Sequence, residues 1–207
     1  DQTDDWIELL ETGNYPSSDV TKVPTSWMVQ KEWISLLEES RQNWLSSLHI
    51  GNYYFEIGEK ELAIDHWNKS LEFDSSPWAL RNLAIAQKVS GNLLAALDLY
   101  EKVINKFAPE LHDAFYEEYL QLLIFAEKYE QLWKIYTEII SVRVPSERID
   151  LAAAKAALQL GHFEFLVKIF TRTFAQIREG ESTLVAIWFE YQAILAAQVS
   201  GVPVDDQ

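Results

Sequence analysis

Apolar residues recur three and four positions apart along most of the chain, the spacing that lines one face of a helix. Trp6, Leu9 and Leu10 predict a short helix over Asp4–Thr12, and Trp33, Leu36 and Leu37 a second over about residues 28–40. From Asn43 onward the pattern is helix, short break, helix, repeated, and almost nothing reads as strand. The breaks are Gly58-Glu59, Gly91-Asn92, Glu127-Lys128 and Gly161-His162, spaced by 33, 36 and 34 residues. Pro77, Pro109 and Pro145 mark the starts of the next helical pairs. Ser76 is the expected N-cap before Pro77, which sits where a missing N–H costs nothing, and Ser146 is the expected cap after Pro145. Residues 182–198 read as one long amphipathic helix with Leu184, Ile187, Trp188, Tyr191 and Leu195 on one side.

A period near 34 built from helix–turn–helix units is the length of a tetratricopeptide repeat. In the first unit Gly51, Tyr54, Gly58, Ala63, Trp67 and Ser70 fall at that family's signature offsets. Small residues such as Gly51 and Ala63 let helices approach closely, and Tyr54 and Trp67 fill the space between neighbours. The second unit repeats this with Leu83, Ala84, Gly91, Ala96, Tyr100 and Val103. The third has Tyr136 and Ile139 without the turn glycine, and the fourth has Gly161, Leu166 and Phe170. The chain thus resembles the tetratricopeptide repeat (TPR) family. The resemblance implies an all-α, TPR-like α-solenoid, a right-handed superhelix of antiparallel helix pairs with capping helices at both ends. An acidic arm and N-terminal capping helix would span residues 1–42, about four helix pairs 43–176, and a C-terminal capping helix with a tail 177–207.

Composition narrows the chemistry. Asp and Glu outnumber Lys and Arg by 32 to 17, for a net charge of −15, whereas phosphate-backbone binding needs a basic face; no nucleic-acid partner is expected. The absence of Cys excludes a disulfide framework, thiolate metal sites and a cysteine nucleophile. No apolar run approaches the roughly 18–20 residues of a membrane span, so no membrane partner is expected; no signal or transit peptide is visible, and the expected location is cytoplasmic. Residues 1–40 hold nine acids and two bases and carry Pro16, Pro24 and a Ser/Thr-rich stretch. They read as an arm that joins a longer protein's missing N-terminal part to the repeats, because the sole methionine is Met28 and residue 1 is Asp.

No catalytic constellation is legible. There is no Gly-x-x-x-x-Gly-Lys loop, Gly-x-Ser-x-Gly elbow or His-Glu-x-x-His pair. His49, His66, His112 and His162 include no i, i+4 pair, so neither metal nor other cofactor is expected. The acid pairs Glu38-Glu39, Glu117-Glu118 and Asp205-Asp206 read as solvated faces. The expectation is a protein that is not an enzyme. Among eight tryptophans, Trp44 and Trp67 take packing offsets and Trp133 and Trp188 lie on apolar helix sides. Trp78, at the start of a helix, is the one with a choice between core and ligand contact.

In the TPR family the first helix of each pair lines a concave face that takes a peptide or a partner helix. The resemblance implies, by register, a lining of His49, Asn52, Phe55 and Glu56, then Trp78, Arg81, Asn82, Ile85 and Lys88, then Glu117, Glu118 and Gln121. Asn52, Trp78, Arg81, Asn82, Lys88 and Glu118 are the candidate groove residues for a protein or peptide, or for an attached domain of the same chain. Ser75–Ala84, Ile177-Arg178-Glu179-Gly180-Glu181, the run Ile187–Tyr191 and the leader Trp6–Gly13 also resemble the C-terminal TPR region of large bacterial proteins. Their N-terminal part is a domain of unknown function like galactose-mutarotase-type β-sandwiches, which implies an ancillary role beside a sugar site as the alternative. The Arg178–Glu181 stretch favours a helix-capping turn over a ligand site, and self-association is a third reading.

Chaperone-binding members clamp a C-terminal carboxylate with two asparagines and three cations. Asn52 and Asn82 match the asparagines, but Leu48, Ala114 and Glu118 stand at the basic positions. A carboxylate there would stay unneutralised. An acidic C-terminal pentapeptide is therefore expected to show no micromolar binding in a fluorescence-anisotropy titration; saturation in that range would refute this.

Overall fold

Four left-handed turns at a fixed register organise the helices. The structure, a computed structural model, describes residues 3–24, 26, 28, 30–140, 144–174 and 183–200. All regular structure among them is helical: α1 Asp4–Thr12, α2 Lys31–Glu39, α3 Trp44–Glu56, α4 Lys60–Phe73, α5 Pro77–Val89, α6 Leu93–Phe107, α7 Asp113–Phe125, α8 Tyr129–Ile135, α9 Glu147–Leu160, α10 Phe163–Phe170 and α11 Thr183–Ser200. α8 runs on as a π-helical stretch over Tyr136–Ile140. No described helix is long and apolar enough to cross a membrane. Two compact units divide the chain, residues 1–112 and 113–207.

The helices form hairpins α3–α4, α5–α6, α7–α8 and α9–α10, each closed by one residue at positive φ: Gly58 (88°), Gly91 (81°), Glu127 (55°) and Gly161 (74°). The next residue's N–H bonds back to a carbonyl of the finished helix: Glu59 to Tyr54 at 2.8 Å, Asn92 to Gln87 at 2.9 Å, Lys128 to Leu123 at 2.9 Å, His162 to Ala157 at 2.8 Å. This bond satisfies a carbonyl that the helix end would leave orphaned. Seven residues before and five after each turn residue stand the pairs Gly51/Ala63, Ala84/Ala96, Leu120/Leu132 and Ala154/Leu166, all buried. Small pairs in the first two hairpins bring the backbones close. The third hairpin carries a Leu/Leu pair at these positions, and α7 with the short α8 packs less extensively than α3 with α4.

In the first unit α2 packs on α3, α3 on α4, α4 on α5 and α5 on α6. A Cβ on Gly51 would lie 2.5 Å from Trp67 Cδ1 and Nε1, so α3 meets α4 at a point that admits no side chain. The Asn43 carboxamide accepts from the Leu45 and Ser46 N–H groups, and Ser46 Oγ accepts from Asn43 N, a capping box that starts α3. Ser76 caps α5 with Pro77 in its first turn, and Ser146 caps α9, as the sequence predicts. Pro109 does not open a helix; it follows a cis bond to Ala108, and α7 begins at Asp113. In the second unit α9 is the hub, packed by α7, α8, α10 and α11. Its Ala152, Ala153, Ala154, Ala156 and Ala157 are buried, small enough for neighbours on several sides.

The structure differs from two further expectations. The 28–40 helix is shorter, Lys31–Glu39, and the C-terminal helix does not bury one apolar side against a polar one. Trp188, expected on its buried side, is 42% exposed, because α11 is apolar nearly all round and only the side bearing Ile187 meets the core. The 177–181 stretch and the tail 201–207 lie outside the described residues.

Glu127 performs the turn that glycine performs elsewhere. A side chain at positive φ costs roughly 1–2 kcal/mol, more than the roughly 0.5–1 kcal/mol of extra unfolded-chain freedom that glycine brings. Glu127→Gly is thus expected to raise the urea midpoint, and Gly91→Ala to lower stability by about 1 kcal/mol; the opposite pair of signs would refute this account of the turn.

Candidate functional site

The candidate groove residues of the first unit meet on α5. Trp78, Arg81, Asn82, Ile85 and Lys88 are spaced at three- and four-residue intervals and form one stripe, half-buried at its start and exposed at Lys88. The opposite positions Ala79, Leu83 and Ala86 are in the core. Asn52 of α3 joins the stripe: its Oδ1 accepts from Asn82 Nδ2 at 2.7 Å and from Trp67 Nε1 at 3.1 Å. The two asparagines are therefore bound to one another and to the core indole. Trp78 packs against the hydrophobic cluster of the first unit. Glu118 lies on α7, in the second unit, where it is half-buried.

His49, expected in the groove lining, is not there. It is 1% exposed, with Tyr15 Oη 3.1 Å from its Nε2 and the rings of Trp6 and Tyr15 at 5.3 and 5.4 Å. The arm covers this part of α3 through backbone carbonyls as well as rings. Trp44 Nε1 donates to Ser18 O at 2.9 Å and Asn43 Nδ2 to Tyr15 O at 2.8 Å, while within the arm Trp6 Nε1 donates to Ser26 O at 2.8 Å. The physical reason is legible afterwards. From Trp44 to Phe55 the sequence holds no charged residue, so no charge on α3 opposes its burial under the arm. At Leu48, one of the positions where a clamp would need a cation, the side chain is 2% exposed.

The second unit holds a polar cluster of its own. Asp150, in the middle of α9, is fully buried; Tyr136 Oη donates to its Oδ1 at 2.8 Å and Arg172 Nη1 to its Oδ2 at 2.5 Å. Burial, then the hydrogen bond to Asp150 and its charge, hold the Tyr136 phenol protonated and donating well beyond its usual range. Both carboxylate oxygens are engaged, which makes the cluster a brace between α9, the end of α8 and the end of α10. Its only sequence signal is an acid set among Ile149, Leu151 and Ala152.

The remaining candidates are packing or surface residues. His66 stacks on Tyr54 at 5.4 Å, His162 on Trp133 at 4.5 Å, and His112 is exposed. Glu38, expected in a solvated pair, accepts from Tyr54 Oη at 2.9 Å beside a cleft of about 440 Å³ that Tyr53, Ile57 and Leu62 also line. No group of three or more His, Asp or Glu side chains among the described residues is placed to hold a metal ion. On the α5 stripe an indole, a guanidinium, a carboxamide and an ammonium sit side by side. Such groups bind by stacking, hydrogen bonds and charge; none is a nucleophile paired with a base. No protein-family model matches the chain, and no curated protein matches it.

Burial alone pushes the His49 pKa from 6.5 to about 3. The folded protein holds the imidazole neutral, so its contribution to stability is complete above pH 6.5. It declines as pH falls toward 3, by up to about 1.4 kcal/mol per pH unit. His49→Phe is expected to flatten the fall of stability between pH 6.5 and 4 by about one proton, read from urea midpoints at stepped pH. An unchanged slope would show that His49 is not held neutral.

Proposed function

We propose that the chain is a non-catalytic, TPR-like interaction scaffold whose α5 stripe receives a protein or peptide segment, or an attached domain of the same polypeptide. The observation that carries this reading is the stripe itself. Trp78, Arg81, Asn82 and Lys88 form a mixed aromatic and polar surface on a helix whose other side is core. The hairpins with their recurring left-handed turn support it, since stacked helix pairs present one helix of each pair along a common surface. The bacterial TPR region beside a mutarotase-like domain is part of the same proposal, and an attached domain is then the nearest occupant. Arg81 and Trp78 also suit a sugar, by hydrogen bonding and stacking, which is the ground for the ancillary role in a carbohydrate-active protein.

The test separates binding from support. Asn82 holds Asn52 in place, so its loss would loosen α3 against α5 and blur the outcome. Lys88→Glu is the cleaner variant, since Lys88 is exposed at the end of the stripe. Segments selected from a displayed peptide library on the intact chain are expected to bind this variant at least about tenfold more weakly, with the melting temperature within about 2 °C. Equal binding by wild type and variant would refute the stripe as the site. Saturable quenching of Trp fluorescence by an oligosaccharide, removed by the same variant, would favour the sugar reading instead.

A further inference from the structure

We propose that the cleft between α2, α3 and α4 binds the cationic side chain of a peptide, an arginine or a lysine. The cleft, of about 440 Å³, lies within the first unit, and no residue of α5 lines it. Its volume is that of a small-ligand pocket. The lining holds the three kinds of group that a long basic side chain needs: aromatic rings, carboxylates and an apolar rim.

Tyr53 and Tyr54 supply the rings, edge to face with centroids 5.5 Å apart. An aromatic face attracts a cation through its quadrupole, and a guanidinium also stacks on it. His66 stacks on Tyr54 at 5.4 Å and is outside the lining, so it supports the ring without filling the cleft. Glu38 and Glu59 supply the carboxylates. Tyr54 Oη donates to Glu38 Oε1 at 2.9 Å, which fixes the carboxylate and leaves Oε2 for a second donor. Burial, then the hydrogen bond to Glu38 and the charges of Glu38, Tyr53 and Glu59, raise the Tyr54 phenol above its usual range, so it stays a donor. Ile57 and Leu62, 52% and 43% exposed, offer apolar surface to the stem of the incoming side chain.

Charge selects the occupant. The lining holds two acids and one base, Lys31. Lys31 stands seven residues before Glu38 on α2, about 10 Å along the helix axis and so about one Debye length away in 0.1 M salt. An anion would meet Glu38 and Glu59 at close range. A neutral apolar group would strip water from both carboxylates and give them no partner. A cation is drawn by a chain of net charge −15, whose first 40 residues carry nine acids and two bases. The cleft is also larger than one cationic head and its stem, so the residues flanking the basic one enter with it.

Titration of the intact, isotope-labelled chain with N-acetyl-glycyl-arginyl-glycine amide, followed by backbone amide NMR shifts, tests this. Saturable shifts centred on Tyr53, Tyr54 and Ile57 are expected, with a dissociation constant on the order of a millimolar. The same peptide with citrulline, nearly the same shape and uncharged, is expected to bind at least about tenfold more weakly. Glu38→Gln keeps an oxygen for Tyr54 and removes the charge. It weakens binding at least about fivefold and moves the melting temperature by no more than a few degrees. Glu39→Gln, at an equally exposed neighbour outside the lining, leaves binding within about twofold, which separates the cleft from attraction to the acidic chain as a whole. Equal binding of n-butylguanidinium would make the occupant a free cation and overturn the peptide assignment. The proposal also fails if the citrulline peptide binds as well, if the two Gln variants weaken binding alike, or if no shift saturates by about 50 mM. Lys88→Glu is expected to bind the arginine peptide like wild type, so this outcome and that of the α5 stripe are read separately.

Discussion

The Trp67 indole occupies the space that a side chain on residue 51 would need, and the first unit is arranged around that contact. Because Gly51 admits the indole, α3 and α4 approach closely enough for polar groups on one to reach the other. Asn52, the next residue, takes the Trp67 N–H, and Ser70 Oγ reaches the Trp44 carbonyl at 2.6 Å. The same Asn52 oxygen then takes Asn82 from α5. One close-packed contact thereby fixes the positions of three helices. A buried amide or indole N–H left unpaired costs about 1–3 kcal/mol, so these bonds resist any slide of α3 along α4. The α5 stripe inherits its position from this chain of contacts.

The periodic part of the fold was legible because its causes are local. A turn at positive φ asks for glycine, a helix start asks for Ser, Asn or Pro, and a close crossing asks for small residues. Each of these leaves a residue type at a fixed offset. Glu127 shows the limit: the turn survives there without its usual residue, and only the spacing marked it. The long-range contacts left weaker traces. His49 shares its exposure pattern with any helical residue, and its burial depends on Tyr15, 34 positions away. Asp150 needs Arg172, beyond the next helix. In both cases a polar residue inside an uncharged run was the available sign. For α11 the apolar residues extend round the axis, so spacing alone does not mark which of them meet the core.

Placement of the arm alters where the first unit can receive a ligand. Trp6, Leu9, Tyr15, Ile34 and Leu37 are all in the core, so residues before Asn43 complete the unit. Their weight falls on α3, the helix whose counterpart in a tetratricopeptide groove would be open to a peptide. With His49 and Leu48 under cover, α3 contributes Asn52 to the surface chiefly through its bond to Asn82. The neighbouring helix α5 has charges on one side, Arg81 and Lys88, and the arm contacts identified at α3 do not involve them.

The exposed side of α5 and the exposed side of α11 contrast in chemistry. The α5 stripe carries cations, an amide and an indole in a chain rich in acid. Its specificity would come from hydrogen bonds and charge, which discriminate strongly because a mismatched partner leaves them unsatisfied. The exposed side of α11 is largely apolar, and would discriminate through shape and spacing. A surface of that kind is tolerated on a monomer only up to a few hundred Å² before it drives association.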